Sequence, residues 1–346
     1  MQNPGLDAVR ALLAEGVMSH AFPGAVIEAG NRQGTLWRVS AGRFTYDDDA
    51  TAVTEETVFD LASLTKVVVT TSLAMRLVEQ GTLSLADKVS VHMRAWHSPD
   101  RAHVTIRDLL EHCSGLAAWA PVYQRQAGRE GFVREISASA LEYEPCTRSL
   151  YSDLGFILLG SILEDANGSL ADQFAGLGLA DLIFTPGVAL RPKIAPTEYD
   201  SGLGRPLVGE VHDENARVLG GVAGHAGLFG HAEAVGAFAR LVLRTGDRET
   251  ALGRPDTLRR FTTRSTVPGS SRALGWDTML PTSSCGTLLS PRAIGHVGFT
   301  GTSLWIDPGR DLYVVLLTNR VYPTRDNDRL RALRPLIHDA VVRAMS

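Results

Sequence analysis

Ser63 and Lys66 stand three residues apart at the head of an apolar run that continues through Val67, Val68, Leu73, Ala74, Leu77 and Val78. That periodicity predicts a buried helix starting near Ser63. Residues three apart share a helix face, so the hydroxyl and the amine point the same way. A nucleophile and its proton acceptor need this arrangement. A lysine becomes a usable base when its pKa falls, and burial is expected to lower that of Lys66 towards neutrality. The chain holds only three lysines, at 66, 88 and 193, against 23 serines. Roughly 0.2 chance S-x-x-K matches are then expected. The plainer alternative is a surface serine beside a surface lysine.

Two further stretches could work with that pair. Tyr151-Ser152-Asp153 precedes an apolar helical run. A phenol held near a cationic lysine has its anionic form favoured and can pass a proton. A core tyrosine followed by a capping Ser or Asp is the competing explanation. His296-Val297-Gly298-Phe299-Thr300-Gly301 reads as a strand edge ending in glycine, where backbone comes close to a ligand and an N–H can serve as an oxyanion donor. A strand followed by a Gly-rich turn would look the same. Ten histidines form neither H-E-x-x-H nor a tight cluster with carboxylates, so no metal is expected. There is no G-x-S-x-G elbow and no G-x-G-x-x-G after a strand, which argues against an α/β-hydrolase and a dinucleotide cofactor. No cofactor is expected.

The elements that must position these residues follow from patterning. Leu6, Val9, Leu12, Leu13 and Val17 recur at helical spacing. Ala25–Ala29 and Thr35–Ser40 read as a hairpin around Gly30–Gly34. The Ser63 helix should stop near Gln80-Gly81. Thr105 should cap a short helix, and Asp153–Asp165 should form another. Residues 185–210 are rich in Pro and Gly and read as irregular. Helices are expected at 231–244 and 330–344, and strands at 293–297, 302–306 and 312–318. Leu312–Leu317 is apolar on both faces and should be a central strand. Hairpin-type links favour an α/β fold with an antiparallel sheet flanked by helices. Residues 1–85 and 220–346 are assigned to this sandwich, and 86–219 to an inserted helical lobe, with the active site between them.

The chain has 346 residues, 44% hydrophobic and 21% charged, the composition of a soluble globular enzyme. A net charge of −4 gives no electrostatic case for nucleic acid or an anionic membrane. No basic segment followed by an apolar run opens the chain, and no run is long enough to span a bilayer, so a cytoplasmic location is expected. Cys113, Cys146 and Cys285 are odd in number and lack C-x-x-C spacing. Each is expected to be a small buried hydrophobe outside any disulfide framework.

Taken together, the three stretches resemble the serine β-lactamase and penicillin-binding-protein superfamily, in the branch of class C β-lactamases, low-molecular-weight DD-peptidases and related esterases. Ser63-x-x-Lys66 matches the first motif, Tyr151-Ser152-Asp153 is similar to a Tyr-x-Asn second motif, and His296-Val297-Gly298 stands where Lys-Thr-Gly would be. Ile106–Leu116, Ala226–Phe229 and Leu274–Asp277 add to the likeness, which runs from about residue 20 to 340. The resemblance implies an acylated Ser63, with Lys66 and Tyr151 sharing the acid–base work. It implies an oxyanion hole from the backbone N–H groups of Ser63 and Phe299. Asp153, His296, Val297 and Gly298 would line the substrate. His212, in a Val211–Ala216 segment similar to one found in a subgroup of these hydrolases, is a further substrate-binding candidate, paired with Asp213. The implied activity is a serine hydrolase acting on an ester or small amide such as a cell-wall-derived peptide. A true β-lactamase, a DD-carboxypeptidase and a non-catalytic cell-wall-fragment or penicillin sensor are the alternatives. The partner is a small molecule or peptide, and oligomeric state is open.

Two departures from the motif shape the expectations. Asp153 replaces asparagine and loses the amide donor when ionised. His296 and Val297 replace a lysine and a hydroxyl residue. An imidazole at 296 with an ordinary pKa of about 6.5 would be mostly neutral above pH 7 and gain its proton near pH 6. On that basis neutral esters should be preferred over carboxylate-bearing substrates.

Overall fold

The structure is a computed structural model that describes residues 4–345. Its main sheet has six strands in the order Thr35–Gly42, Gly24–Gly30, Leu312–Thr318, Ser303–Asp307, Ile294–Val297, Asp277–Thr278, and each neighbouring pair is antiparallel. Both ends of the chain therefore build one sheet. Gly24–Gly30 and Leu312–Thr318 are buried along their whole length and lie at its centre, as the two-faced apolar pattern requires.

Side chains alternate between the faces with period two. Ala25, Ile27, Val314 and Leu316 pack under the helices Pro4–Met18 and Leu330–Ala344. Val26, Val315 and Leu317 turn the other way and meet Val235, Phe238 and Val242 of the helix Ala232–Thr245, together with Val67 and Val68. The hairpin turn is set by Asn31, whose Oδ1 accepts the N–H groups of Gln33 and Gly34.

Residues between the two halves of the sheet supply helices. The helix Asp153–Asn167 buries ten consecutive residues, Leu154 to Leu163. Thr105 caps Ile106–Leu110 in a reciprocal capping box with Asp108. The Pro- and Gly-rich stretch holds a six-residue 3₁₀ turn, Val188–Lys193, and the short strand pair Tyr199–Asp200 with Arg205–Pro206. One apolar core runs from Val26 of the sheet through Val68 to Leu158 and Phe132. A second, three-stranded sheet joins Phe59–Asp60, Leu228–Gly230 and Ile183–Phe184. Among the described residues no helix is long and apolar enough to cross a membrane.

The helix after Ser63 differs from a plain α-helix. Lys66–Thr71 is wound as a π-helix and passes into the α-helix Ser72–Glu79. Such wider turns concentrate at functional sites, and apolar spacing carries no signal for them.

Candidate active site

Ser63 occupies the turn that leads into the Lys66 helix, and three contacts fix that turn. Asp60 Oδ1 accepts the Ala62 N–H at 2.8 Å, Thr300 Oγ1 donates to the Asp60 carbonyl at 2.7 Å, and Thr302 Oγ1 donates to the Leu61 carbonyl at 3.0 Å. Ala62 is held in the left-handed region, with φ of 46°. A non-glycine residue keeps such a conformation only when its surroundings over-determine it. The strand edge at Gly298 lies against the same turn. A Cβ there would come within 2.6 Å of the Leu61 carbonyl and 2.1 Å of Thr302 Oγ1, so the backbone approach requires glycine.

Lys66 is fully buried and its Nζ has three acceptors. Ser63 Oγ lies at 2.9 Å, Asp153 Oδ1 at 2.6 Å and the His225 carbonyl at 3.1 Å. The glycine-rich loop before His225 makes the last contact possible. It presses on the helix Asp153–Asn167 so closely that a Cβ on Gly224 would lie 2.2 Å from the Phe156 carbonyl. Three acceptors, one of them a carboxylate, match the three donors of an ammonium. Burial alone would lower the Lys66 pKa, but Asp153 and Tyr151 outweigh it and the pKa is raised. The expectation of a lysine shifted towards neutrality is thus corrected: Asp153 holds the proton on Lys66. Asp153 faces the lysine directly, which a role confined to lining the substrate did not anticipate.

Tyr151 sits just before its helix, as expected, while Ser152 is the cap: its Oγ accepts the Gly155 N–H at 3.2 Å and donates to the Ala117 carbonyl at 2.7 Å. The Tyr151 hydroxyl interacts with Lys66 and Ser63. Burial raises its pKa, Lys66 pulls it back and Asp153 raises it, so the net direction is upward and the group is a phenol at neutral pH. His112 positions it from behind. Its ring stands 4.8 Å from that of Tyr151, and its Nδ1 accepts the Ser152 N–H at 3.0 Å.

Ser63, Tyr151, Asp153, His212, His296, Val297, Gly298 and Phe299 all open on one cavity of about 720 Å³. His212 and Asp213 do not pair with each other. His212 Nε2 meets Glu198 at 3.0 Å, its ring stacks on Phe299, and Asp213 bonds His225 at 2.7 Å. Burial pushes Asp213 up, but His225 and the Ala216 N–H hold its carboxyl well below the usual carboxylate range. The loop thus touches the side chains of His225, whose carbonyl accepts from Lys66, and of Phe299.

His296 departs from expectation in charge. It is 1% exposed, and burial, reinforced by Arg272 and Lys66, pushes its pKa well below the ordinary value. Its Nδ1 is bonded to the Val297 carbonyl at 2.8 Å, and its Nε2 has no partner among the described residues.

Sequence reasoning missed the arginines. Arg272, Arg320, Arg325, Arg331 and Arg334 also line the cavity. Arg325 is paired with Glu198 and Glu214. Arg272 lies over the Tyr151 ring at 5.1 Å and makes no ion pair among the described residues. Arg334 is 8% exposed, makes no ion pair among them, and is pushed down to about 10 by burial and by Arg320. In a chain with 34 basic residues no local signal marks these two, because they come from separate segments.

The Asp153–Lys66 contact gives a direct test. Asp153→Asn removes the carboxylate that raises the Lys66 pKa, so free amine is present at lower pH. The Lys66 titration, followed by NMR on lysine-labelled protein, is expected to move to lower pH than in the wild type. An unmoved titration, or one displaced upward, means that Asp153 does not set the charge of Lys66.

A serine, a lysine and a tyrosine converge on a cleft beside an antiparallel sheet, an arrangement that suits a serine hydrolase. The chain belongs to the beta-lactamase family, whose model matches residues 9–338. It is 32% identical over 307 residues to an Escherichia coli (strain K12) protein provisionally named D-alanyl-D-alanine carboxypeptidase, covering 77% of this chain and 70% of that one. Among solved structures, EstCE1, a hydrolase with promiscuous acyltransferase activity, superposes with a TM-score of 0.78 at 21% identity, covering 98% of both chains. A class C beta-lactamase from Rhodobacter sphaeroides superposes with a TM-score of 0.76 at 22% identity, covering 98% of this chain and 100% of that one. The fold is thus that of the β-lactamase and penicillin-binding-protein superfamily of serine hydrolases.

Proposed function

We propose that the protein is a serine hydrolase that forms an acyl-enzyme on Ser63, with an ester or a small amide such as a cell-wall-derived peptide as substrate. The observation that carries this reading is the 2.9 Å contact between Ser63 Oγ and the buried Lys66 Nζ at the wall of the cavity. Ser63 attacks the carbonyl carbon, and its proton passes into the Lys66–Tyr151 unit, which returns it to the leaving group. The resting Lys66–Asp153 pair must first move a proton from ammonium to carboxylate. A bound substrate that excludes water favours that shift, because it replaces two charges with two neutral groups. The N–H groups of Ser63 and Phe299 would hold the oxyanion.

The arginines refine the substrate class. Burial, Arg272 and Lys66 disfavour the charged form of His296, whereas Arg272 and Arg334 line the same cavity with no ion pair among the described residues. These favour a substrate with an anionic group, which agrees with the carboxypeptidase name of the curated relatives and reverses the preference for neutral esters inferred from His296. The test compares a neutral p-nitrophenyl ester, nitrocefin and a D-Ala-D-Ala peptide on wild type, Arg272→Gln and Arg334→Gln. Losing a charge-assisted contact should raise KM for the carboxylate substrates roughly 10- to 100-fold and leave the ester nearly unchanged. Equal losses on all three substrates, or none, would show that the arginines do not read charge.

A further inference from the structure

A second cluster of chemistry-bearing side chains lies outside the cavity lining, beside His112 in the chain. Asp108, Cys113 and Cys146 each turn one ligand atom towards a common point, all within 4.8 Å of one another. The Cys113 and Cys146 sulfurs are 3.4 Å apart, and Asp108 Oδ1 lies 3.2 Å from Cys146 Sγ and 3.7 Å from Cys113 Sγ. The expectation that every cysteine is a small buried hydrophobe fails for Cys146, which is exposed.

The triangle has the dimensions of one face of a coordination tetrahedron. With zinc–sulfur bonds of about 2.3 Å and zinc–oxygen bonds of about 2.0 Å, tetrahedral angles place two sulfurs about 3.8 Å apart and sulfur about 3.5 Å from oxygen. Each observed edge is within a few tenths of an ångström of these values. The carboxylate is already oriented: Asp108 Oδ2 accepts the Thr105 N–H and Thr105 Oγ1, each at 2.8 Å, which leaves Oδ1 for the sulfurs. Partners of this kind hold ligands in place at metal sites. The backbone also brings the ligands together, through Cys113 N–H to the Asp108 carbonyl at 2.9 Å and Cys146 N–H to the Cys113 carbonyl at 2.8 Å. Cys146 has φ of 64°, a conformation that favours glycine, so a residue with a side chain there points to a use for that side chain. Cys113 and Asp108 are buried and Cys146 is exposed, so the cluster reaches the surface through Cys146.

We propose that Asp108, Cys113 and Cys146 form a binding site for a thiophilic divalent cation of the Zn²⁺ class, completed by a water. The metal replaces the two thiol protons, which go to solvent, so its affinity rises with pH. It pins the turn that carries His112 to the segment that leads into Tyr151. His112 already ties these two together, its carbonyl accepting the Leu150 N–H at 2.9 Å and its Nδ1 the Ser152 N–H at 3.0 Å. The site is structural and does not depend on the hydrolase reading.

Cobalt(II) is the probe, added to the full chain after reduction and chelator treatment. One equivalent should bind and give a thiolate-to-cobalt charge-transfer band with the intense visible bands of a tetrahedral centre, and Zn²⁺ should bleach both. Zn²⁺ should also raise the melting temperature. Cys146→Gly suits the left-handed backbone and should fold, yet lose the charge-transfer band. Cys113→Ala should lose it as well, and Ser63→Ala should bind like the wild type. The inference is overturned if the reduced chain gives no such band or if Cys146→Gly keeps it. A cobalt signal that depends on Ser63 overturns it too. So does a thiol titration of the unreduced, denatured chain that finds one thiol where three are present in the sequence, since a Cys113–Cys146 disulfide would then occupy the position.

Discussion

Ser63→Ala is expected to abolish turnover while leaving the melting temperature almost unchanged. The Ser63 side chain is partly exposed, and its Oγ contacts Lys66 at 2.9 Å and the Tyr151 hydroxyl. Lys66 keeps Asp153 and the His225 carbonyl as acceptors after the change, so no buried charge is left unpaired. Substitutions of that kind usually fall within about 0.5 kcal/mol of the wild type. Catalysis is different, because a nucleophile has no substitute: the loss should be about 10⁴-fold or more, limited by whatever rate the oxyanion donors and substrate binding still support. Mass spectrometry gives an independent reading. A fluorophosphonate should add to wild type at Ser63 and not to Ser63→Ala. A transient adduct with a slow substrate belongs to an enzyme, and a permanent one to a sensor. Activity retained in Ser63→Ala would move the nucleophile elsewhere.

How much of this was legible in the sequence depended on how local each signal was. The Ser63–Lys66 spacing lies inside one helical turn, and the structure places both groups on one face. The central strand Leu312–Thr318 announced itself because both of its faces are apolar, and the Thr105 cap because its partner is three residues on. The state of Lys66 was not legible. Its pKa is raised by Asp153, 87 residues away, and its third donor goes to the His225 carbonyl, 159 residues away. The same limit explains the exchanged partners of the His212 loop. Adjacent residues His212 and Asp213 looked like a pair, but Asp213 turns to His225 and His212 to Glu198, because successive side chains in an extended loop diverge. Arg272 and Arg334 became visible only once distant segments closed one cavity. The sulfurs of Cys113 and Cys146 come within 3.4 Å across 33 residues, with no motif spacing to announce it.

Lys66 and Tyr151 are expected to behave as one proton-handling unit, and the double mutant decides it. Tyr151 is a phenol whose hydroxyl interacts with both Lys66 and Ser63, and Lys66 is an ammonium 2.9 Å from the same serine. Neither group is a free base at rest, so the serine proton can leave only if the two rearrange together with Asp153. Tyr151→Phe removes the hydroxyl and keeps the ring that packs against His112 and lies under Arg272. Lys66→Met keeps the apolar stem, but it leaves the Asp153 carboxylate without its cation. That variant should therefore melt lower, and its kinetics should be read well below its own transition. Each single change should lower kcat about 10²- to 10⁴-fold, the span of general acid–base catalysis. Once one member is gone, the other has no relay to complete. The double variant should then be little slower than the slower single one, as found for groups that act as a unit. If the two losses multiply, the groups contribute independently, and the proton leaves Ser63 by a route that needs only one of them. Pairing each single change with Asp153→Asn separates the remaining contributions. In the Asp153→Asn background Lys66→Met no longer strands a carboxylate, so the fall in melting temperature should shrink while the fall in kcat persists.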